Sequence, residues 1–268
     1  MSTAFKPDFL QRYISEAPLP LAIERYQECQ IYERHELRHP ILDIGCGEGL
    51  FAFVLGNELI DVGIDPNPRE LVRARAYGAY RELICCPGDA IPRASASFNT
   101  ILSNSVLEHI PDLEPVLREA HRLLAPGGRF FATVPTHLFD HFSVLYQLLT
   151  ALRLKRAAES YRGFFNRFWR HYHAYTPEIW AQLFARCGFR VVSTQQYCPK
   201  AIGLLEDALA PLSLPSLLVK KACNRWFLFP GLRRSLTAPL LAAILRPFLE
   251  IRDQENAGGI IFICLEKS

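Results

Sequence analysis

The stretch Ile41–Phe51, which reads Ile-Leu-Asp-Ile-Gly-Cys-Gly-Glu-Gly-Leu-Phe, leaves this chain few folds to choose from. Ile41, Leu42 and Ile44 form an apolar run of the length expected for a buried strand. Gly45, Gly47 and Gly49 follow at alternate positions. They let the backbone turn sharply and approach a ligand closely, because no Cβ intervenes. Leu50–Leu55 then resumes an apolar run suited to a helix packed on a sheet. Strand, glycine turn and helix together make the ligand-binding end of a nucleotide-type α/β fold.

Charge narrows the ligand. A dinucleotide fingerprint, G-x-G-x-x-G, would place its third glycine at position 50, which is Leu50. Asp43 and Glu48 flank the turn and would repel a pyrophosphate seeking a helix N-terminus. S-adenosylmethionine carries a sulfonium and an ammonium and no phosphate, so an acidic glycine loop suits it. Asp65 ends the next apolar run, Asp61–Ile64, and a carboxylate there can accept hydrogen bonds from both ribose hydroxyls. Taken alone, the glycines also fit a tight turn without a ligand. With Asp43, the three glycines and Asp65 together, the chain resembles the class I S-adenosylmethionine-dependent methyltransferases, whose first motif is an acid followed by G-x-G-x-G. That resemblance implies S-adenosylmethionine as cofactor, with Asp43, Gly45, Cys46, Gly47, Gly49, Asp65 and Pro66 around it.

Later elements follow the same pattern. Arg69–Tyr77 reads as a short helix ended by Gly78, and Glu82–Cys86 as a third strand. The next residues are Pro87-Gly88-Asp89-Ala90. The resemblance implies that Asp89 meets the adenine amino group and Ala90 offers its amide to the ring; Asp89 equally fits a turn. Phe98–Ser103 is the fourth strand, and Ser103 and Asn104 are the cofactor contacts implied at its end. Asp112–Leu124 is a helix stopped by Ala125-Pro126-Gly127-Gly128, and Arg129–Val134 the fifth strand. Thr176 caps a helix over Ile179–Cys187, with Pro177 at its first position. Phe189–Thr194 and Gly259–Leu265 complete the set. The expected fold is α/β, a seven-stranded Rossmann-like doubly wound sheet with an antiparallel last strand and helical cap insertions.

Five segments are expected along the chain. Residues 1–40 are a helical cofactor cover, with a helix over Leu19–Leu37. Residues 41–135 are the cofactor-binding core, and 173–196 with 258–268 complete it. Residues 136–172 form an aromatic and basic insertion. Residues 197–257 form an apolar insertion whose runs Ala208–Val219, Trp226–Leu232 and Ser235–Leu245 are separated by Lys220, Lys221, Arg225, Arg233 and Arg234. The two insertions are expected to cap an apolar acceptor, with basic side chains available to anionic headgroups. Extra core or a homodimer surface is the other use for them.

Composition excludes several classes. A chain of 268 residues is long enough for one substantial domain, and 50% hydrophobic content excludes global disorder. Bases exceed acids by 3, too few to argue for nucleic acid as partner. The eight cysteines show neither zinc spacing nor a disulfide framework, which fits reduced thiols in a cytoplasmic protein. Met1–Leu10 has no basic n-region before an apolar core, so no signal peptide is expected. No uncharged apolar stretch reaches the roughly 18 residues of a spanning helix, so attachment to a membrane would be peripheral.

Three histidines are candidate bases for methyl transfer to an oxygen. His109 follows Glu108 near the end of strand four, in a Leu-Glu-His similar to that of quinone-precursor O-methyltransferases. Those enzymes carry a preceding metal-binding acid where this chain has Ser105, so no metal is expected. His171 and His173 precede the Tyr-Thr-Pro helix start and can face one way in an extended segment. Packing or lid ordering is the alternative role for all three. The functional expectation is methyl transfer to an O, N or C atom of a small, apolar or lipid-like acceptor. A non-catalytic cofactor-binding scaffold, or a methyltransferase of macromolecules, is the alternative.

Overall fold

The computed structural model describes residues 3–250 and 257–268. Residues 251–256, the end of the second expected insertion, lie outside them. Seven strands form one sheet: β1 Ile41–Ile44, β2 Ile60–Ile64, β3 Tyr80–Ile84, β4 Phe98–Asn104, β5 Leu124–Pro135, β6 Phe189–Pro199 and β7 Gly258–Lys267. Their order is β3-β2-β1-β4-β5-β7-β6. β1 to β5 pair in parallel, whereas β7 runs antiparallel to both β5 and β6. The expected Rossmann-like sheet with an antiparallel last strand is therefore present.

Helices cover both faces. α1 Phe9–Glu16, α2 Leu19–Tyr32, α3 Leu50–Leu55 and α4 Pro68–Tyr77 pack on one face; α5 Leu113–Leu123 and, further along the chain, α8 Pro177–Arg186 pack on the other. The two-residue period of a strand explains how one sequence feeds two cores. In β7, Ile261, Ile263 and Leu265 join the α5/α8 core, and Ile260, Phe262 and Cys264 join the α1/α2 core. Strand order reverses between β1 and β4. The crevice at their carboxyl ends is where an open α/β sheet binds its ligand.

Several boundaries move, each for a local reason. The first 40 residues hold two helices, because Pro18 and Pro20 separate α1 from α2, and α2 stops at Tyr32 rather than Leu37. β3 begins two residues early, since the Ile60 amide is already paired with the Ala79 carbonyl. The Ala125–Gly128 turn does not delay β5. It is absorbed as an irregularity within the strand, where Gly127 takes φ 71°. β6 continues to Pro199, so the second insertion starts at Lys200.

The first insertion folds as α6 Val144–Ala151 and α7 Lys155–Trp169. The second folds as α9 Lys200–Leu209, α10 Leu214–Cys223 and α11 Pro230–Leu249. α9 lies against α2 and β6, and α11 against α1. Pro211 and Pro215 sit in first turns, where their missing N–H breaks nothing. As a result Lys200–Cys223 is, by length and composition, a helical run of 24 residues with mean hydropathy 1.5, enough to cross a membrane. The expectation concerned uncharged stretches, and this run carries Glu206, Asp207, Lys220 and Lys221; by length and mean hydropathy it qualifies all the same.

Candidate functional site

The glycine loop between β1 and α3 builds the site. Gly45, Gly47 and Gly49 all take left-handed φ values, 75°, 52° and 80°. A Cβ at Gly45 would lie 2.4 Å from Val106 Cγ1, so glycine there lets the loop close onto the end of β4. A Cβ at Gly47 would meet no protein atom within 4 Å, so its missing side chain opens onto free space. That space belongs to a cavity of about 210 Å³ lined by Tyr13, Arg25, Asp43, Gly45–Phe51 and Asn104–Val106.

Two carboxylates hold the loop. Asp43 is buried and accepts a hydrogen bond from the Tyr80 hydroxyl at 2.7 Å. Burial raises its pKa to about 6, against the opposing pull of that hydrogen bond. Asp65, at the end of β2, accepts from the Gly47 and Asn67 amides at 3.1 and 2.8 Å. Burial raises its pKa, again against those bonds. One lone pair on each Asp65 oxygen is left after these bonds. Cys46 is buried in the same loop, where burial pushes its thiol pKa up.

Other expected cofactor contacts fall in different places. Asn104 lines the cavity, while Ser103 is fully buried with its hydroxyl unpartnered. Pro66, Asp89 and Ala90 are exposed and do not line the cavity. The loop carrying Asp89 and Ala90 does pass the end of β1, since a Cβ on Gly88 would lie 3.5 Å from Ile44.

Beneath the cavity lies a network that the sequence reading missed. Glu28 of α2 is fully buried and accepts from Arg25 at 2.6 and 2.8 Å, from Tyr197 at 2.7 Å, and from Asn104. Arg25 also donates to the Ser105 hydroxyl at 2.9 Å. Thr133 donates to Asn104 and receives the Ser105 amide. α2, β4, β5 and β6 are thus tied together where the ligand crevice opens. The only hint in the sequence was a charged pair on an apolar helix.

The histidines separate into two neighbourhoods. His173 has both ring nitrogens engaged, by the Tyr175 hydroxyl and the Ile110 carbonyl, each at 2.8 Å. It does not share a face with His171, which corrects the paired reading; His171 turns instead toward His109, 5.2 Å between ring centroids. His109 sits on the 3₁₀ turn Leu107–His109, directly after cavity-lining Val106. Its Nδ1 faces the Arg170 carbonyl at 3.2 Å, which places the proton on Nδ1, and its Nε2 lies 3.8 Å from the Glu108 carboxyl. Burial lowers the pKa of His109, and burial with His109 beside it lowers His171 to about 4. Glu108 is buried with Oε2 unpartnered, and burial lifts its pKa to about 8. Glu108, His109 and His171 hold possible ligand atoms within 4.8 Å of one another, a grouping that leaves out His173.

The insertions reach this region differently. The first closes over the 3₁₀ turn, with the Tyr172 amide donating to the Glu108 carbonyl at 2.8 Å. The second does not line the cavity. It grips the loop from outside: Trp226 donates to Glu48 at 2.7 Å, and Lys220 pairs with the same carboxylate at 3.0 Å.

The fold and the loop together define a Rossmann-like methyltransferase domain. Residues 10–194 match the methyltransferase domain family, and the chain belongs to it. S-adenosylmethionine is the methyl donor of that family, and the open glycine cradle with its flanking carboxylates fits it. The chain is 36% identical over 122 residues to the methyltransferase GfsG of Streptomyces halstedii, covering 42% of this chain and 44% of that protein. It is 30% identical over 102 residues to the human mitochondrial ubiquinone biosynthesis O-methyltransferase, covering 35% and 28%. Its fold is similar to that of a geranyl diphosphate methyltransferase, with a TM-score of 0.50 at 13% identity over 93% and 90% of the chains. The matched stretches span about a third to a half of the length of curated relatives.

Proposed function

We propose that this protein transfers the methyl group of S-adenosylmethionine to a hydroxyl of a small, apolar acceptor, with His109 as the base. The observation that carries the reading is the position of His109 just past cavity-lining Val106, with Nδ1 held by the Arg170 carbonyl and Nε2 beside the Glu108 carboxyl. Methyl transfer is an in-line displacement at an activated carbon, so the protein's task is to align the partners and exclude water. An oxygen nucleophile adds the need to lose a proton, and a neutral imidazole of lowered pKa takes it at neutral pH. Asp65 would accept both ribose hydroxyls through its remaining lone pairs. Asp43 and Glu48 would face the cationic end of the cofactor. Arg25, the one cation among the lining residues, would face its carboxylate. Asp89 and Ala90 would meet the adenine only on loop closure.

The human relative's name, an O-methyltransferase of ubiquinone biosynthesis, supports an oxygen on an apolar ring as acceptor. The test is turnover with labelled S-adenosylmethionine and an extract of lipophilic phenols. His109→Ala should lose roughly 10²–10⁴ in turnover with cofactor affinity nearly unchanged. Equal, small losses in His109→Ala and His171→Ala would remove the base assignment.

A further inference from the structure

The second insertion exposes what a folded chain normally hides. α11 carries large apolar side chains on both its buried and its outer side, interrupted by Arg233, Arg234 and Arg246. Ala238, Ala242 and Leu249 are buried toward α1, while Leu232, Leu236, Leu240, Ile244 and Phe248 form a second stripe that points outward. Each step of four residues advances that stripe by about 40°, so it winds slowly around the outer face over about 24 Å of helix. Leu236 is 64% exposed and Phe248 73% exposed. α10 adds exposed Leu214, Leu217 and Leu218 beside it. Between the two helices opens an apolar pocket of about 430 Å³, lined by Val219, Phe227, Phe229, Leu232 and Leu236. A contiguous exposed patch of this many large apolar side chains marks an interaction surface, so this face is missing a cover.

Charge says what kind of cover. Residues 208–249 contain six Lys or Arg and no Asp or Glu, whereas the rest of the chain carries 24 bases against 27 acids. Near-neutrality of the whole chain hides a cationic, apolar element. Lys221 and Arg225 are exposed at the junction of the two helices. Lys220, Arg234 and Arg246 pair with Glu48, Glu16 and Asp8, so Lys221 and Arg225 are the exposed positive charges beside the apolar stripe. A second copy of the chain would bring the same two positive charges against these.

We propose that the α10–α11 face docks on the surface of an anionic lipid bilayer. The outward leucines and phenylalanines enter the acyl boundary, and Lys221 and Arg225 rest on the headgroups. The element lies on the membrane rather than crossing it. Although Lys200–Cys223 is long and apolar enough to span, Ile202 and Glu206 near its start are buried, and α9 is packed on β6. The grip of Lys220 and Trp226 on Glu48 places the docked element directly against the glycine loop.

The test is flotation of the full chain with vesicles of phosphatidylcholine containing phosphatidylglycerol, and with phosphatidylcholine alone. At low salt the chain should float with the anionic vesicles and be released several-fold by high salt. Lys221→Ser and Arg225→Ser should each weaken binding roughly fivefold, and Leu236→Ser/Leu240→Ser should abolish it. The charge variants alter only exposed side chains, so they report even if the leucine pair perturbs folding. No flotation at low salt, or equal flotation of parent and charge variants, overturns the proposal. A concentration-dependent dimer abolished by the leucine pair without lipid also overturns it, because the face then serves self-association. Docking stands apart from the methyltransferase reading: vesicle binding without S-adenosylmethionine binding would sink only the latter.

Discussion

The glycine-loop core and the second insertion are both apolar, yet they dispose of that apolarity in opposite ways. In the core, alternate residues of β1 and β7 enter two packed layers, and nearly every side chain finds its cover within the chain. In α10 and α11, large apolar side chains face outward beside a concentration of positive charge. Apolar content therefore settles that a surface will be covered, not what covers it. The core uses its own sheet; the insertion awaits something with both an apolar interior and a negative surface.

The largest expected effect lies within the core, in the network under the cavity. Glu28→Ala would take from half-buried Arg25 the closer of its two carboxylates, leaving only Glu24 at 3.5 Å, and strip Asn104 and Tyr197 of their acceptor. Breaking a buried charge pair from one side costs about 3–5 kcal/mol. A fall in melting temperature of roughly 10 °C should follow in thermal unfolding. An unchanged melting temperature would show that the α2 cover is held by apolar packing alone.

The next effect is a pH dependence. Glu108 titrates at about 8 in the folded chain, above its unfolded value, so the folded state keeps a proton that the unfolded state releases. Stability from this group is complete below the unfolded pKa of about 4.5 and is lost as pH rises toward 8. His171 acts at the other end. Its folded pKa of about 4 lies below the ordinary histidine value, so stability is lost as pH falls from about 6.5 to 4. Glu108→Gln, neutral at every pH, should melt progressively higher than the parent as pH is raised from 5 to 8. A constant difference across that range would contradict the buried neutral carboxyl.

A smaller effect separates the insertion from the loop it grips. Trp226→Phe keeps most of the ring and removes the indole donor to Glu48. Losing one hydrogen bond to a charged group should cost about 1.5–3 kcal/mol where the acceptor stays dry, and less here because Lys220 still pairs with it. The readout is S-adenosylmethionine affinity, expected to fall severalfold. No change would uncouple the insertion from the glycine loop.

How much of this was legible in the sequence follows from distance along the chain. The loop Gly45–Gly49, the two carboxylates Asp43 and Asp65, and the helix start at Thr176 are local signals, and each element stands within a few residues of its expected place. The turn at Ala125–Gly128 was legible as a turn but not as an irregularity within β5, because only pairing with β4 reveals it. The Glu28 network joins residues up to 169 positions apart. No periodicity reports such a contact. The meeting of His109 with His171, across α6 and α7, was hidden for the same reason, and the visible spacing of His171 and His173 suggested the wrong partner. In the second insertion the prolines suggested broken helices, whereas Pro211, Pro215 and Pro230 fall in first turns and α11 runs on through Pro239 and Pro247.

The central claim is that the space opened by Gly47 is the cofactor site. Calorimetric titration of S-adenosylmethionine into the parent chain and into Gly47→Ala tests it most directly. The added methyl group meets no protein atom within 4 Å, so apart from about 1–2 kcal/mol of left-handed backbone strain the fold should hold. The account predicts that the parent binds and that Gly47→Ala binds at least tenfold more weakly while still unfolding cooperatively. Equal affinity in the two proteins, or no binding by the parent, would contradict it.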